Sequence, residues 1–102
     1  MKKDNKEKTV IGFAERWVSE LGELRYCLRK EDAENMPTQY AIEAELQTVR
    51  GETESVCVSS VTSDGELAGR IFRAVVNGTV TPCTLRDVVE DFVTETSFVL
   101  QA

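Results

Sequence analysis

Histidine is absent from all 102 residues. General acid–base catalysis near neutral pH most often relies on an imidazole, and here only carboxylates, lysines or thiols could stand in. None of these forms a recognisable constellation. The chain has no phosphate loop and no nucleophile beside a base. It is read as a non-enzymatic protein that uses no cofactor and no metal. Cysteine is sparse: Cys27, Cys57 and Cys83 are an odd number at wide spacings. A tetrahedral zinc site would need four Cys or His ligands drawn from distant positions. Three reduced thiols in a reducing cytoplasm are expected instead. Long apolar runs are missing too, and nothing approaches the roughly 18–20 residues of a membrane span. After the basic start MKKDNKEK, the run Val10-Ile11-Gly12-Phe13-Ala14 is stopped by Glu15 and Arg16. That is too short for the apolar part of a signal peptide. The expected location is the cytoplasm, with no membrane contact.

Positive charge is scarce beyond residue 30. Residues 1–30 carry eight Lys/Arg against five Asp/Glu, a balance of +3, and residues 31–102 carry four against thirteen, a balance of −9. The net charge of −6 repels phosphate backbones, whereas nucleic-acid binding needs cationic neutralisation of phosphates. No nucleic-acid partner is expected. The Lys2, Lys3, Lys6, Lys8 cluster reads as a solubilising tail.

What the chain does have is clear periodicity. In TPCTLRDVVEDFV, residues 81–93, the apolar residues Leu85, Val88, Val89, Phe92 and Val93 make one helical stripe. Arg86, Asp87, Glu90 and Asp91 fill the opposite face. Thr84 stands where an N-cap belongs, behind Pro82. A second helix is expected after Ser63-Asp64-Gly65, with Ser63 or Asp64 as its cap. Its apolar line is Leu67, Ile71 and Val75, flanked by Ala68, Phe72 and Val76. Asn77-Gly78 is expected to end it in a left-handed turn.

The first half alternates as strands do. Leu24, Tyr26 and Leu28 oppose Arg25, Cys27 and Arg29; Tyr40, Ile42, Ala44 and Leu46 oppose Ala41, Glu43 and Glu45. Ala, Glu, Leu and Gln favour helix, but the strict period of two over residues 39–47 decides for a strand. Residues 54–62, rich in Ser, Thr and Val, make another, with Val56 and Val58 on one side and Cys57 and Val61 on the other. Residues 30–38 read as a charged loop closed by Met36-Pro37. Residues 10–19 read as a strand leaning towards Phe13 and Trp17 as its inward side, and a helical reading of 13–21 stays open. Short connections favour antiparallel neighbours. The expected fold is therefore α+β, ββββαα: a four-stranded antiparallel meander with both helices on one face. Residues 1–9 are expected as a polar flexible start, 10–96 as one domain, and 97–102 as an apolar tail.

NGTVTPCTLRDVVEDFV, residues 77–93, resembles the end of a small domain family of clostridia-like Gram-positive bacteria that has no assigned function. YCL at 26–28 and YAIE at 40–43 are similar to that family's strands. The resemblance implies a small cytoplasmic α+β domain and brings no catalytic residues with it.

The candidate residues follow. Arg86, Asp87, Glu90 and Asp91 have three readings: carboxylates able to hold a divalent cation, a solvated face with an Arg86–Glu90 ion pair, which is preferred to the cation, or a surface that meets a protein partner. Cys83, ahead of a helix start, is read as a small linker side chain rather than an activated thiol. Trp17 is assigned to the core. Tyr26 and Tyr40 are read as a cross-strand aromatic pair. The preferred function is a protein-interaction or regulatory module of unknown pathway with an unidentified protein partner, expected as a homodimer from its thin core, apolar tail and half-covered sheet. The alternative is a small-molecule sensor with a pocket lined by Tyr26, Tyr40, Phe72 and Phe92. A filled interior with an exposed apolar patch favours the first; an internal void favours the second.

Overall fold

The computed structural model describes residues 7–101, with side chains described for 7–95. Four strands come first: β1 (Glu7–Val18), β2 (Gly22–Ala33), β3 (Met36–Thr48) and β4 (Thr53–Val58). Two helices follow, α1 (Gly65–Asn77) and α2 (Pro82–Gln101). The strands form one antiparallel sheet in the order β1-β2-β3-β4, the meander that the short connections predict. Both helices contribute to a single core on one face of the sheet, with Leu24, Tyr26, Leu28, Ile42, Ala44 and Leu46 below and Ala68, Ile71, Phe72, Val75, Leu85 and Val89 above. The other face carries no helix among the described residues. The apolar tail expected at 97–102 has its side chains outside the described residues, as are residues 1–6.

Helix α1 starts as expected. The Asp64 carboxylate accepts from the N–H groups of Glu66 and Leu67 at 3.0 and 3.3 Å, satisfying two of the orphan donors of a first turn. Its end differs from the expectation. Gly78 has φ −87°, and the left-handed residue is Thr79, at φ 47°. The Thr79 N–H reaches the Val76 carbonyl and the Val80 N–H the Val75 carbonyl, the double closure of a Schellman motif. Helix α2 also starts earlier than a Thr84 cap implies. Proline fits a first helical position, where no N–H is needed; Pro82 takes it, fully buried, and Thr84 lies inside the first turn.

Residues 30–38 are not a loop. β2 and β3 run on to a two-residue turn at Glu34 and Asn35, with Asn35 at φ 66°. Pro37 is tolerated because the register slips there by one residue and β4 pairs only with Ile42–Gln47 of β3; at such a bulge no ladder bond is lost. Thr38 Oγ1 donates to Asp32 Oδ1 at 2.5 Å across the hairpin. β4 stops at Val58, yet the Val61 N–H and Thr62 carbonyl bond Tyr40 again. Between them Ser60 takes φ 52°. That kink reverses the alternation, so Val61 enters the core instead of sharing a side with Cys57.

β1 corrects two further expectations. Phe13 and Trp17 point away from the helices, 60% and 69% exposed, and Trp17 is no core residue. Gly12, Ala14 and Val18 take the inner side. The reason is space: Phe72 of α1 lies over Gly12, where an added Cβ would come within 3.2 Å of both its ring and Leu28. Bulk on that side of β1 would lift the helix.

Candidate functional site

The sequence-derived pocket residues all belong to the core cluster or pack against it. Tyr26 is completely buried and Phe72 nearly so, while Tyr40 and Phe92 are partly buried against the same core. The two tyrosines are not cross-strand partners. Tyr26 stands opposite Ala44, and Tyr40 opposite Lys30. The Tyr26 hydroxyl donates to the Val80 carbonyl at 2.7 Å, so this ring pins the α1–α2 link to the sheet. Burial pushes the phenol up to about 12, against a smaller lowering by the charge of Arg16.

Arg86, Asp87, Glu90 and Asp91 are all exposed on α2. Among the described residues no ion pair joins Arg86 to Glu90. Both instead rim an open hollow of about 340 Å³ between α2 and the chain after β4, together with Ser59, Ser60 and Thr94. Cys83 is exposed in the first turn of α2, its Sγ 3.5 Å from Thr81 Oγ1.

The richest arrangement of side chains lies on the bare face of the sheet. Pairing sets Phe13, Cys27, Glu43 and Cys57 in one row across all four strands, and Glu15, Arg25, Glu45 and Ser55 in the next. Arg29 lies over the first row. Its Nη1 donates to Glu43 Oε1 at 2.7 Å, and its Nη2 to Cys57 Sγ at 3.1 Å; Cys27 Sγ is 3.8 Å from Nη1. The hydrogen bond to Glu43 is the main cause that holds Arg29 charged beyond its ordinary range. Its Nε is buried without a partner. Burial pushes the Cys27 thiol up, and the nearby Arg29 charge only partly offsets this. A thiol pushed up by burial forms its thiolate less readily.

Arg25 makes looser contacts, 3.5 Å to Glu15 and 3.4 Å to Glu23. Between these rows is an open hollow of about 280 Å³, walled by Phe13, Glu15, Arg25, Cys27, Glu43 and Glu45. Beside it, Val10, Ile11, Phe13 and Trp17 make an apolar strip along β1. Among the described residues no three Cys, Asp or Glu side chains gather closely enough to hold a metal ion. No described helix is long and apolar enough to cross a membrane. What this face offers chemically is contact: an apolar border beside alternating fixed charges.

Single strands show that this face exists but not which side chains meet on it. The signal was available in the second strand, whose outward residues Arg25, Cys27 and Arg29 are legible from alternation. Only the register adds the β1 aromatics to them. No curated protein and no solved structure matches the chain. A family model does match, over residues 8–95, which spans all four strands and α1 and most of α2. The chain belongs to that family, described as a family of unknown function (DUF6514).

Proposed function

We propose that this domain works by binding another protein rather than by catalysis, as a small interaction or regulatory module of the bacterial cytoplasm. The observation that carries the reading is the apolar strip on β1. Val10, Ile11, Phe13 and Trp17 are all about half exposed or more, on a sheet face that no described helix covers. Scattered exposed apolar residues are ordinary, but four on one strand, interrupted on that face by Glu15 and flanked by charge, support a contact surface. Tryptophan and arginine are enriched at binding hot spots, and Trp17 shares this face with Arg25 and Arg29. The sensing alternative needs free space among Tyr26, Tyr40, Phe72 and Phe92. The burial of Tyr26 and Phe72 and the Tyr26–Val80 hydrogen bond weigh against it. The exposed face of α2, with Arg86, Asp87, Glu90 and Asp91, is a second contact surface on this reading, because Arg86 and Glu90 rim a hollow.

Affinity capture from the native host tests the proposal. Bait proteins would be the parent chain, the double variant Phe13→Thr/Trp17→Thr, and the charge-reversed variant Arg86→Glu/Asp87→Lys/Glu90→Lys. A partner retained by the parent and lost with the first variant supports the sheet face. Loss only with the second moves the surface to α2. Identical capture by all three removes both surfaces.

A further inference from the structure

We infer that two copies of this chain join edge to edge through β1, antiparallel about a two-fold axis normal to the sheet, so that four strands from each copy form one continuous sheet. The inference rests on the reading that the domain works by binding, and it commits one part of the β1 surface to a second copy.

β1 is an outermost strand of 12 residues, twice the 6 of β4 at the opposite edge. Among the described residues nothing pairs with its far side, so that side presents a row of free N–H and C=O groups. Natural edges of this length are usually blunted by charge, proline or brevity. This one is long, and between the charged residues Glu7, Lys8, Glu15 and Arg16 it carries Val10, Ile11 and Phe13, with Trp17 beyond, in exposed positions.

The charge pattern selects the partner and the register. The ladder with β2 slips between Val10 and Gly12, making Ile11 an extra residue. Val10 pairs with Arg29 and Phe13 with Cys27, so these two β1 residues share the bare face although they are three apart. A two-fold axis between Ile11 and Gly12 therefore sets like face against like face. It brings Val10 opposite the partner's Phe13 and Thr9 opposite the partner's Ala14. It also brings Lys8 opposite the partner's Glu15, and Glu7 opposite the partner's Arg16. The symmetry repeats each, making four opposed charge pairs flanking two apolar ones. Directly opposed opposite charges and aromatic–aliphatic pairs are the favourable cross-strand combinations. Both copies carry the extra residue at the axis, so neither chain runs out of step. Placing the axis at Glu15 instead would set that carboxylate against its own copy, a penalised arrangement. A strand with this register is a self-complementary edge, as an isologous interface requires.

Sedimentation equilibrium on the full chain tests this, with circular dichroism melting to confirm that each variant folds. The parent is expected to be a reversible dimer. Glu7→Arg alone opposes two arginines across each pair, and Arg16→Glu alone opposes two glutamates. Each should weaken self-association about tenfold or more. The double variant Glu7→Arg/Arg16→Glu restores the pairs in reverse and should return to within about threefold of the parent. Lys8→Glu/Glu15→Lys, with its singles, repeats the swap on the bare face should the first set fold poorly. A parent that stays monomeric into the millimolar range overturns the proposal. So does a dimer indifferent to the single variants, or a double variant no tighter than its singles. A dimer lost only on removing residues 97–102 overturns it as well and assigns the interface to the tail. A monomeric parent that still captures a host protein through Phe13 and Trp17 would remove the dimer while leaving the binding function intact.

Discussion

Tyr26 joins strand, helix link and solvent chemistry in one side chain. Its ring is fully buried in the core and its hydroxyl donates 2.7 Å to the Val80 carbonyl. Tyr26→Phe keeps the packing and removes the donor, leaving a carbonyl with one fewer partner. Such a loss costs about 1–3 kcal/mol, which lowers the melting temperature of a domain this size by at least about 4 °C. The same residue sets an alkaline limit. Its folded value is raised to about 12 from 10.0, so the folded state prefers the protonated phenol. This contribution to stability is complete below about pH 10, then declines as pH climbs towards 12. Denaturant midpoints measured at steps across that window should fall for the parent, and fall distinctly less for Tyr26→Phe. Parallel decline in the two proteins would show that other groups set the limit.

At the scale of elements, the end of α1 holds a removable strain. Thr79 takes the left-handed conformation at φ 47° and completes the Schellman closure, a position that favours glycine and penalises a branched side chain by about 1–2 kcal/mol. Thr79→Gly relieves this. The gain is reduced by the greater freedom of glycine in the unfolded chain, about 0.4–1 kcal/mol, and by loss of the Thr79 Oγ1 contact with the Gly78 carbonyl. A net rise of about 0.5 kcal/mol is expected in chemical denaturation, with no rise for Thr79→Ala. A glycine variant less stable than the parent would sink the strain assignment. The helices themselves were legible because their stripes repeat without interruption: Leu67, Ile71 and Val75 in one, Leu85 and Val89 in the other. β3 was legible because strict alternation outweighed its helix-forming composition. Some of the strand misreadings share one physical cause. Alternation is readable only within an unbroken strand, and Ile11, the slip near Pro37 and the kink at Ser60 each break it. Past the kink at Ser60 the side chains change faces, so alternation places Val61 outside the core; Trp17 faces outward for a different reason, the space that Phe72 takes over Gly12. The candidate surface suffered most, since β1 is where the inward side is filled by Gly12 and Ala14 and bulk goes outward to admit Phe72.

For the whole molecule, this arrangement separates the buried face of the sheet from the exposed one. One face of the sheet carries the core, and the hydrophobic contribution resides in residues such as Leu24, Ile42, Ile71 and Val89. The other face carries the charged rows and the β1 strip, where Phe13 and Trp17 already meet water in the isolated chain. Replacing a side chain that is exposed in both folded and unfolded states removes little transfer free energy. Threonine also keeps the preference for extended backbone. Phe13→Thr/Trp17→Thr should therefore cost no more than about 1 kcal/mol, chiefly from the cross-strand contacts of Phe13 beside Cys27 and Trp17 beside Glu23. Thermal melting at low protein concentration, where association adds nothing, measures this directly. A cooperative melt close to the parent's would place the two aromatics outside the core, leaving them available to a partner. Loss of cooperative unfolding would mean that the sheet is covered on both faces in the isolated chain, and the case for a binding surface on β1 would fall with it.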